Sequence, residues 1–253
     1  MSTILSLQNV SLTYHSLLGE TKALENINFS VKDGEFIAIV GPSGCGKTTI
    51  LSLISCLIKP TSGKVLINNE IVTKVTNKTG YMFQKDYLFA WRNIYKNITL
   101  GLEVQKKLNK KNLNFINGLI KKYGLNNFKK HYPNELSGGM RQRVALIRTL
   151  ALNPKILLLD EPFAALDYQT RLQVCDDVSK IISEENKTVV FVTHDIAEAI
   201  SMADKVVVLS NRPASVKKIF NINFGKDVSP LKRREKKNFG ELFDKIYKEL
   251  KNE

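Results

Sequence analysis

Nine consecutive residues, Gly41-Pro42-Ser43-Gly44-Cys45-Gly46-Lys47-Thr48-Thr49, combine residue types that together can hold a polyphosphate. Glycines let a backbone curl until its N–H groups converge on anionic oxygens. A lysine adds a point charge for the outer phosphates, and a threonine hydroxyl can ligate a divalent cation. The spacing is G-x-x-x-x-G-K-[ST], which carries meaning only between a strand and a helix. That context is present, because the apolar run Phe36–Val40 precedes it and Ile50-Leu51-Ser52-Leu53-Ile54 follows. A helix starting at Lys47 would also turn the positive end of its dipole toward the loop. Gly41–Thr49 reads as a nucleoside triphosphate site.

Three other positions could do chemistry on a bound phosphate. Ile156-Leu157-Leu158-Leu159 is an apolar strand that runs into two adjacent carboxylates, Asp160 and Glu161. A parallel core strand delivers its last residue to the site at its carboxyl end, so Asp160 can hold Mg²⁺ and Glu161 can take a proton from an attacking water. Val189–Val192 is another such strand and ends in Thr193-His194-Asp195, which makes His194 a candidate γ-phosphate contact. Gln84 also ends a strand pattern, Gly80–Phe83, and its amide can reach metal or water.

The elements that must carry these residues follow from periodicity. Residues 4–13 alternate as a half-buried strand, a turn-like Ser16–Thr21 follows, and Ala23–Val31 repeats the strand pattern. The helix after the phosphate loop is stopped by Pro60 and a turn at Thr61-Ser62-Gly63, and Lys64–Ile67 and Ile71–Val75 read as short strands. From Asp86 to Leu136 the chain is rich in lysine and asparagine, with Leu113, Ile116, Leu119, Ile120 and Tyr123 at helical spacing and no strand pattern. Ser137 then stands at an N-cap position before a helix over Gly139–Leu152. Ile156–Leu159, Thr188–Val192 and Lys205–Leu209 alternate as strands with helices over Tyr168–Glu184 and Ile196–Met202, which argues for a mainly parallel sheet with ligand at the strand carboxyl ends. The last helix carries Phe239, Leu242, Phe243, Ile246, Tyr247 and Leu250 on one stripe, which should pack back on its own domain.

Composition narrows the class. A content of 43% apolar and 25% charged residues over 253 positions is that of a globular protein, and no run approaches the eighteen apolar residues of a membrane span. The first residues lack a basic and then apolar leader pattern. Three scattered cysteines suit a reducing compartment rather than a disulfide framework. The net charge of +14 could serve nucleic acid, but the lysines are spread along the chain and none of their clusters is interleaved with aromatics. A solvated basic surface, favouring an anionic membrane face, fits better, and no nucleic-acid partner is expected.

Leu136-Ser137-Gly138-Gly139-Met140, followed by Arg141-Gln142-Arg143, resembles the signature motif of ABC-transporter ATPases. Together with the phosphate loop, Gln84, ILLLDEP, Ala165-Leu166-Asp167 and His194 in that order, the resemblance covers nearly the whole chain. It implies an α/β P-loop NTPase fold (the ABC ATPase fold) with a RecA-like core, an antiparallel β subdomain and a helical subdomain. The implied division is core plus β subdomain at 1–85 and 156–225, helical subdomain at 86–155, and a C-terminal helical tail at 226–253. It further implies ATP and Mg²⁺ as cofactors, with Thr48, Gln84 and Asp160 around the metal and Lys47, Gln84, Glu161 and His194 in catalysis. A head-to-tail homodimer would close on two ATP molecules, with Ser137, Gly138 and Gly139 facing the γ-phosphate held by the partner. Tyr14 matches the adenine-stacking aromatic, and Asp167 the dimer-contact aspartate.

Finer stretches, FQKDYLFAWRNIYKNI, EPFAALD, ADKVVVLSNRPA and FGELFDKIYKEL, resemble the importer branch for nitrate, sulfonate and taurine, and related importers of a thiamine-precursor pyrimidine. Met140, Ala90-Trp91, Ile147 and Thr149 depart from the commonest residues of that pattern without touching a phosphate or metal contact. The implied role is the ATP-hydrolysing subunit of an importer, peripheral on the cytoplasmic face of the cell membrane. Its partners would be integral membrane permease subunits, contacted through Phe89 and Trp91, and indirectly an extracytoplasmic solute-binding protein. The alternatives are a soluble ABC ATPase uncoupled from transport and an ABC exporter subunit.

Overall fold

A computed structural model describes residues 2–17, 19–225 and 228–251. In chain order the elements are β1 (Thr3–Ser16), β2 (Gly19–Lys32), β3 (Phe36–Val40), α1 (Lys47–Ile54), β4 (Ser62–Ile67), β5 (Glu70–Ile71), β6 (Thr79–Met82), α2 (Ile94–Val104), α3 (Lys110–Lys122), α4 (Gly138–Leu150), β7 (Ile156–Asp160), α5 (Tyr168–Glu184), β8 (Thr188–Val192), α6 (Ile196–Met202), β9 (Lys205–Leu209), β10 (Val216–Asn221), α7 (Pro230–Arg234) and α8 (Lys237–Lys251). Two short 3-10 turns, Asn126–Phe128 and Pro133–Glu135, separate α3 from α4. The chain forms two compact units: residues up to Thr76 together with those from Asn186 onward, and Asn77–Glu185 between them.

The first unit holds an antiparallel sheet in the order β2-β1-β4-β5 and a run β10-β9-β3-β8 in which β3 lies parallel to both β8 and β9. Every residue of β3 (FIAIV) and β8 (TVVFV) is buried. Continuous apolar strands of this kind belong to a parallel layer covered on both faces, whereas β1 and β2 alternate buried and exposed positions. The β1–β2 hairpin runs further than the turn-like Ser16–Thr21 suggested. His15 pairs with Glu20 and Ser16 with Gly19, and the His15 Nδ1 lies 3.1 Å from the Glu20 carboxylate. Backbone pairing and a cross-strand polar pair extend a ribbon into solvent without apolar side chains.

Other boundaries also differ from the sequence reading. β4 opens at Ser62, so the turn expected over Thr61-Ser62-Gly63 is already strand by its second residue, and Gly63 sits where a Cβ would lie 2.1 Å from the Asn9 carbonyl oxygen of the neighbouring β1. Of the strand expected over Ile71–Val75, only Ile71 belongs to a strand, the two-residue β5; Val72 N still donates to the Val65 carbonyl at 2.9 Å, and Val75 is exposed. β10 was not legible: it is an edge strand, VKKIFN, whose two lysines mask the pattern while protecting the edge. The C-terminal helix packs on its own unit, as expected, with Ile246 fully buried and Lys217 Nζ donating to the Glu249 carbonyl at 2.8 Å. Its stripe is only partly used, since Phe243 stacks on an exposed Tyr247. Arg233 of α7 is buried and donates to the carbonyls of Ala203 and Val228, tying the tail to the end of α6.

The second unit places β6 parallel to β7, with all of β7 (ILLLD) buried, and also holds helices α2 to α5. Helix α4 supplies the apolar face Val144, Ala145, Leu146, Ile147 and Leu150. It begins one residue earlier than expected and ends at Leu150 rather than Leu152. Between Asp86 and Leu136 the only regular elements among the described residues are helical, as the lysine- and asparagine-rich stretch suggested.

Candidate functional site

In the first unit the phosphate loop joins β3 to α1, as its sequence context requires. Gly46 is the N-cap of α1 at φ 117°, and a Cβ there would meet Leu24 Cδ2 at 2.7 Å, so both backbone and packing demand glycine. Lys47 is buried, and its Nζ donates to the carbonyls of Gly41 at 2.9 Å and Pro42 at 2.8 Å. An ammonium carries three donors, so two loop carbonyls orient it without exhausting it. Pro42 and Thr49 are half-buried, whereas Ser43, Gly44 and Thr48 are exposed along the loop and first helical turn. Cys45 is buried inside the loop, and desolvation pushes its thiol above the ordinary value despite the nearby charge of Lys47. This keeps it a small neutral packing residue, unlike the thiolates of reactive sites.

Two other sequence candidates reach the same loop. The Tyr14 hydroxyl lies 3.2 Å from the Thr49 hydroxyl, with the ring 40% exposed at the far end of β1. His194 follows β8, whose Val192 pairs with Ile39 of β3, and Thr193 N donates to the Ile39 carbonyl at 3.3 Å. The two parallel strands therefore end side by side, one in Gly41 and the other in the turn bearing an exposed His194. That turn is fixed from within: the Thr193 hydroxyl donates to Glu198 at 2.6 Å, and Asp195 caps α6 through the N–H groups of Ala197 and Glu198.

The acidic candidates lie in the second unit. Asp160, the last residue of β7, is buried and accepts a hydrogen bond from the Tyr81 hydroxyl at 3.2 Å. Glu161 follows at φ 42°, a left-handed conformation that costs a non-glycine residue roughly 1–2 kcal/mol. Gln84 Nε2 donates to Glu161 Oε2 at 3.2 Å. The strands β6 and β7 run parallel with Met82 beside Leu159, so residues just past both ends meet.

Ser137 caps α4 by accepting from Met140 N at 3.3 Å. Gly138 and Gly139 are needed for packing: added Cβ atoms would meet Leu166 Cδ2 at 2.9 Å and Val174 Cγ2 at 3.0 Å. Asp167 caps α5, and hydrogen bonds from Thr170 hold its carboxyl below the usual carboxylate range.

Several residues that sequence reasoning passed over organise this region. Arg141 donates to Asp86 and to the Leu136 carbonyl, and Arg148 donates to the carbonyls of both Asp86 and Tyr87. Burial of Arg148 lowers its pKa from the ordinary value, which the nearby charge of Asp86 in part offsets. A cavity of about 450 Å³ is lined by Gln84, Asp86, Gly138, Arg141, Gln142 and Leu166. Beyond Gln84, Phe89 is half-buried while Trp91 is 74% exposed, their rings 4.8 Å apart. Only the i, i+7 placement of Arg141 and Arg148 on one helix could have flagged them, and charge alone does not reveal a backbone clamp.

Asp160 and Gln84 in the second unit, and separately Thr48 in the first, carry oxygen donors of the kind a hard cation takes. Among the described residues there is no group of three or more His, Cys, Asp or Glu able to cage a metal.

Comparison with known proteins shows the family. A family profile described as ABC transporter matches residues 24–164. The chain is 45% identical to the "Uncharacterized ABC transporter ATP-binding protein YtlC" of Bacillus subtilis (strain 168), over 98% of this chain and 96% of that one. It is 36% identical to the "Aliphatic sulfonates import ATP-binding protein SsuB" of Bacillus thuringiensis subsp. konkukian, again over 98% and 96%. Among solved structures, the ATP-binding cassette MJ0796 in a dimeric post-hydrolysis state with ADP and Pi is similar at a TM-score of 0.74 and 34% identity, covering 88% of this chain and all of that one.

Proposed function

Since this chain belongs to the ABC transporter family, as an ATP-binding subunit that hydrolyses ATP, we propose that it powers import of a small anionic solute such as an aliphatic sulfonate. The single observation that carries the enzymatic part is the pre-shaped phosphate loop, with a buried Lys47 anchored on two loop carbonyls at the start of α1. The import part rests on the sulfonate-import relative and on the exposed Trp91 beside Phe89.

In this reading the loop amides and Lys47 bind the β- and γ-phosphates, and the Tyr14 ring stacks on adenine. Glu161 accepts a proton as water oxygen bonds to the γ-phosphorus and the bond to the β–γ bridging oxygen breaks. Gln84 orients that carboxylate through the amide donation described above. His194 donates to the γ-phosphate as it separates. Mg²⁺ would be served by Thr48, Asp160 and Gln84 and would neutralise charge on the phosphate oxygens. Rate acceleration comes from positioning and charge stabilisation.

Two copies would pair head to tail, so that Ser137, Gly138 and Gly139 of one meet the γ-phosphate on the other, with Asp167 at the contact. The dimeric cassette structure supports this pairing. The permease would be engaged by Phe89 and Trp91 at the cytoplasmic face of the membrane, with a solute-binding protein outside. The domain limits 1–85 with 156–225, 86–155 and 226–253 belong to the same proposal.

The test is co-purification. The tagged chain is extracted from membranes in mild detergent, and the associated integral membrane protein is identified. A stoichiometric permease, with ATPase activity raised by a solute-binding protein, is the expected result. A chain that emerges alone or with soluble partners only would overturn the import reading.

A further inference from the structure

Between Glu103 and Glu135 the chain carries eight lysines and not one aspartate or glutamate. Four of these lysines, Lys106, Lys107, Lys110 and Lys111, are exposed around the turn that joins α2 to α3. The same turn exposes two aliphatic side chains, Val104 at 74% and Leu108 at 49%.

This corner is ordered by its own backbone. Lys107 N donates to the Leu102 carbonyl at 2.8 Å, Gln105 N to Gly101 at 3.1 Å, and Asn109 caps α3 through Asn112 N at 2.9 Å. Lys106 takes φ 54°, which turns the chain. The nearest acid, Glu103, is neutralised by a two-pronged contact with Arg92 at 2.8 and 3.1 Å. Among the described residues none of the four corner lysines has an ion pair, whereas Lys122 further along is paired with Glu184 at 3.0 Å. Helix α3 prolongs the surface. Its face toward the unit is Ile116, Leu119 and Ile120, and its outer face presents Lys110, Asn114, Gly118 and Lys121.

Fixed cations beside outward aliphatic side chains match one environment, the headgroup layer of an anionic bilayer. Lysines gain there from the negative surface potential, and aliphatic groups gain by reaching the acyl boundary. Nucleic acid would use the lysines but gives Val104 and Leu108 nothing, and the turn has no aromatic on which a base could stack. We infer that the α2–α3 corner is a membrane-contact surface that sits on anionic phospholipid, with Val104 and Leu108 entering the interface. This goes beyond the import reading, and its test contains no permease, so each can fail without the other.

The experiment is co-sedimentation of the purified full chain with vesicles of phosphatidylcholine alone or with about one third phosphatidylglycerol, at roughly 0.1 M salt where screening acts over about 10 Å. Binding only to the anionic vesicles is expected. Replacing the four corner lysines by Gln should weaken it by about six hundredfold, since each lysine near such a surface is worth about fivefold. The pair V104S and L108S should weaken it about tenfold while leaving the salt dependence unchanged. A control replacing Lys232, Lys236 and Lys237 by Gln should bind as the parent does, and all variants should keep the basal ATPase rate. No binding to anionic vesicles, equal losses in the control, or displacement by duplex DNA at matched phosphate concentration would each overturn the inference.

Discussion

β3 and β7 are near twins that end differently. Each is a five-residue strand with every side chain buried, and each passes its chain within a few residues into a left-handed backbone conformation. After β3 the left-handed positions are glycines, Gly44 and Gly46. After β7 the position is Glu161, which holds φ 42° with a full side chain. The difference shows what each end must offer. The loop after β3 offers backbone N–H groups, for which side chains are obstacles. The end of β7 offers a carboxylate, and under the proposed role of Glu161 the local strain is kept for that side chain.

The sharpest break in this comparison is Glu161→Gln, which keeps shape and removes the base. Steady-state hydrolysis should fall by roughly 10²–10⁴-fold while ATP binding survives and an ATP-bound dimer accumulates on gel filtration. Retained turnover would take Glu161 out of that role. Lys47→Ala acts on the other end and should instead weaken ATP binding itself, on the order of a hundredfold by equilibrium titration. If binding were unchanged, the buried ammonium would be structural.

Gly46→Ala comes next. It forces a Cβ into a left-handed position and against Leu24, so stability should drop by roughly 1–3 kcal/mol in urea titrations, with weaker ATP affinity. Tyr14→Ala should cost only about two- to tenfold in ATP affinity and leave hydrolysis at saturation intact, in keeping with the loss of one aromatic stack. An unchanged affinity would place adenine elsewhere. The smallest effect sharpens the comparison most. Glu161→Gly should raise thermal stability, by about 1 kcal/mol or roughly 2–4 °C, while hydrolysis is lost. A destabilised variant would mean that the Gln84 contact outweighs the backbone strain.

The sequence was most legible where one residue type answers to one physical demand. Tyr168–Glu184, Thr188–Val192, Ile196–Met202 and Lys205–Leu209 were expected with the limits that α5, β8, α6 and β9 have, because buried strands and amphipathic helices leave dense apolar patterns. The phosphate loop was legible for the same reason, as glycine has few competing uses there. The outer part of the β1–β2 hairpin and the edge strand β10 were not, since their pairing is made by backbone and their side chains are polar. Tyr81 looked like an ordinary strand residue, and nothing local announces that its hydroxyl reaches Asp160. Arg141 and Arg148 were invisible as organisers because their partners, Asp86 and Tyr87, lie more than fifty positions away in the chain.

Those two arginines have a mechanical consequence. Arg148 grips two successive carbonyls, those of Asp86 and Tyr87, from the last turn of α4, and Arg141 holds the Asp86 carboxylate about two turns earlier. The segment leading to the exposed Trp91 is therefore bolted to the helix that Ser137 begins. A push on that segment is delivered to the cap of α4 as rigid displacement, with little slack to absorb it. The second unit is built like a crank, in which the handle and the working end are one piece.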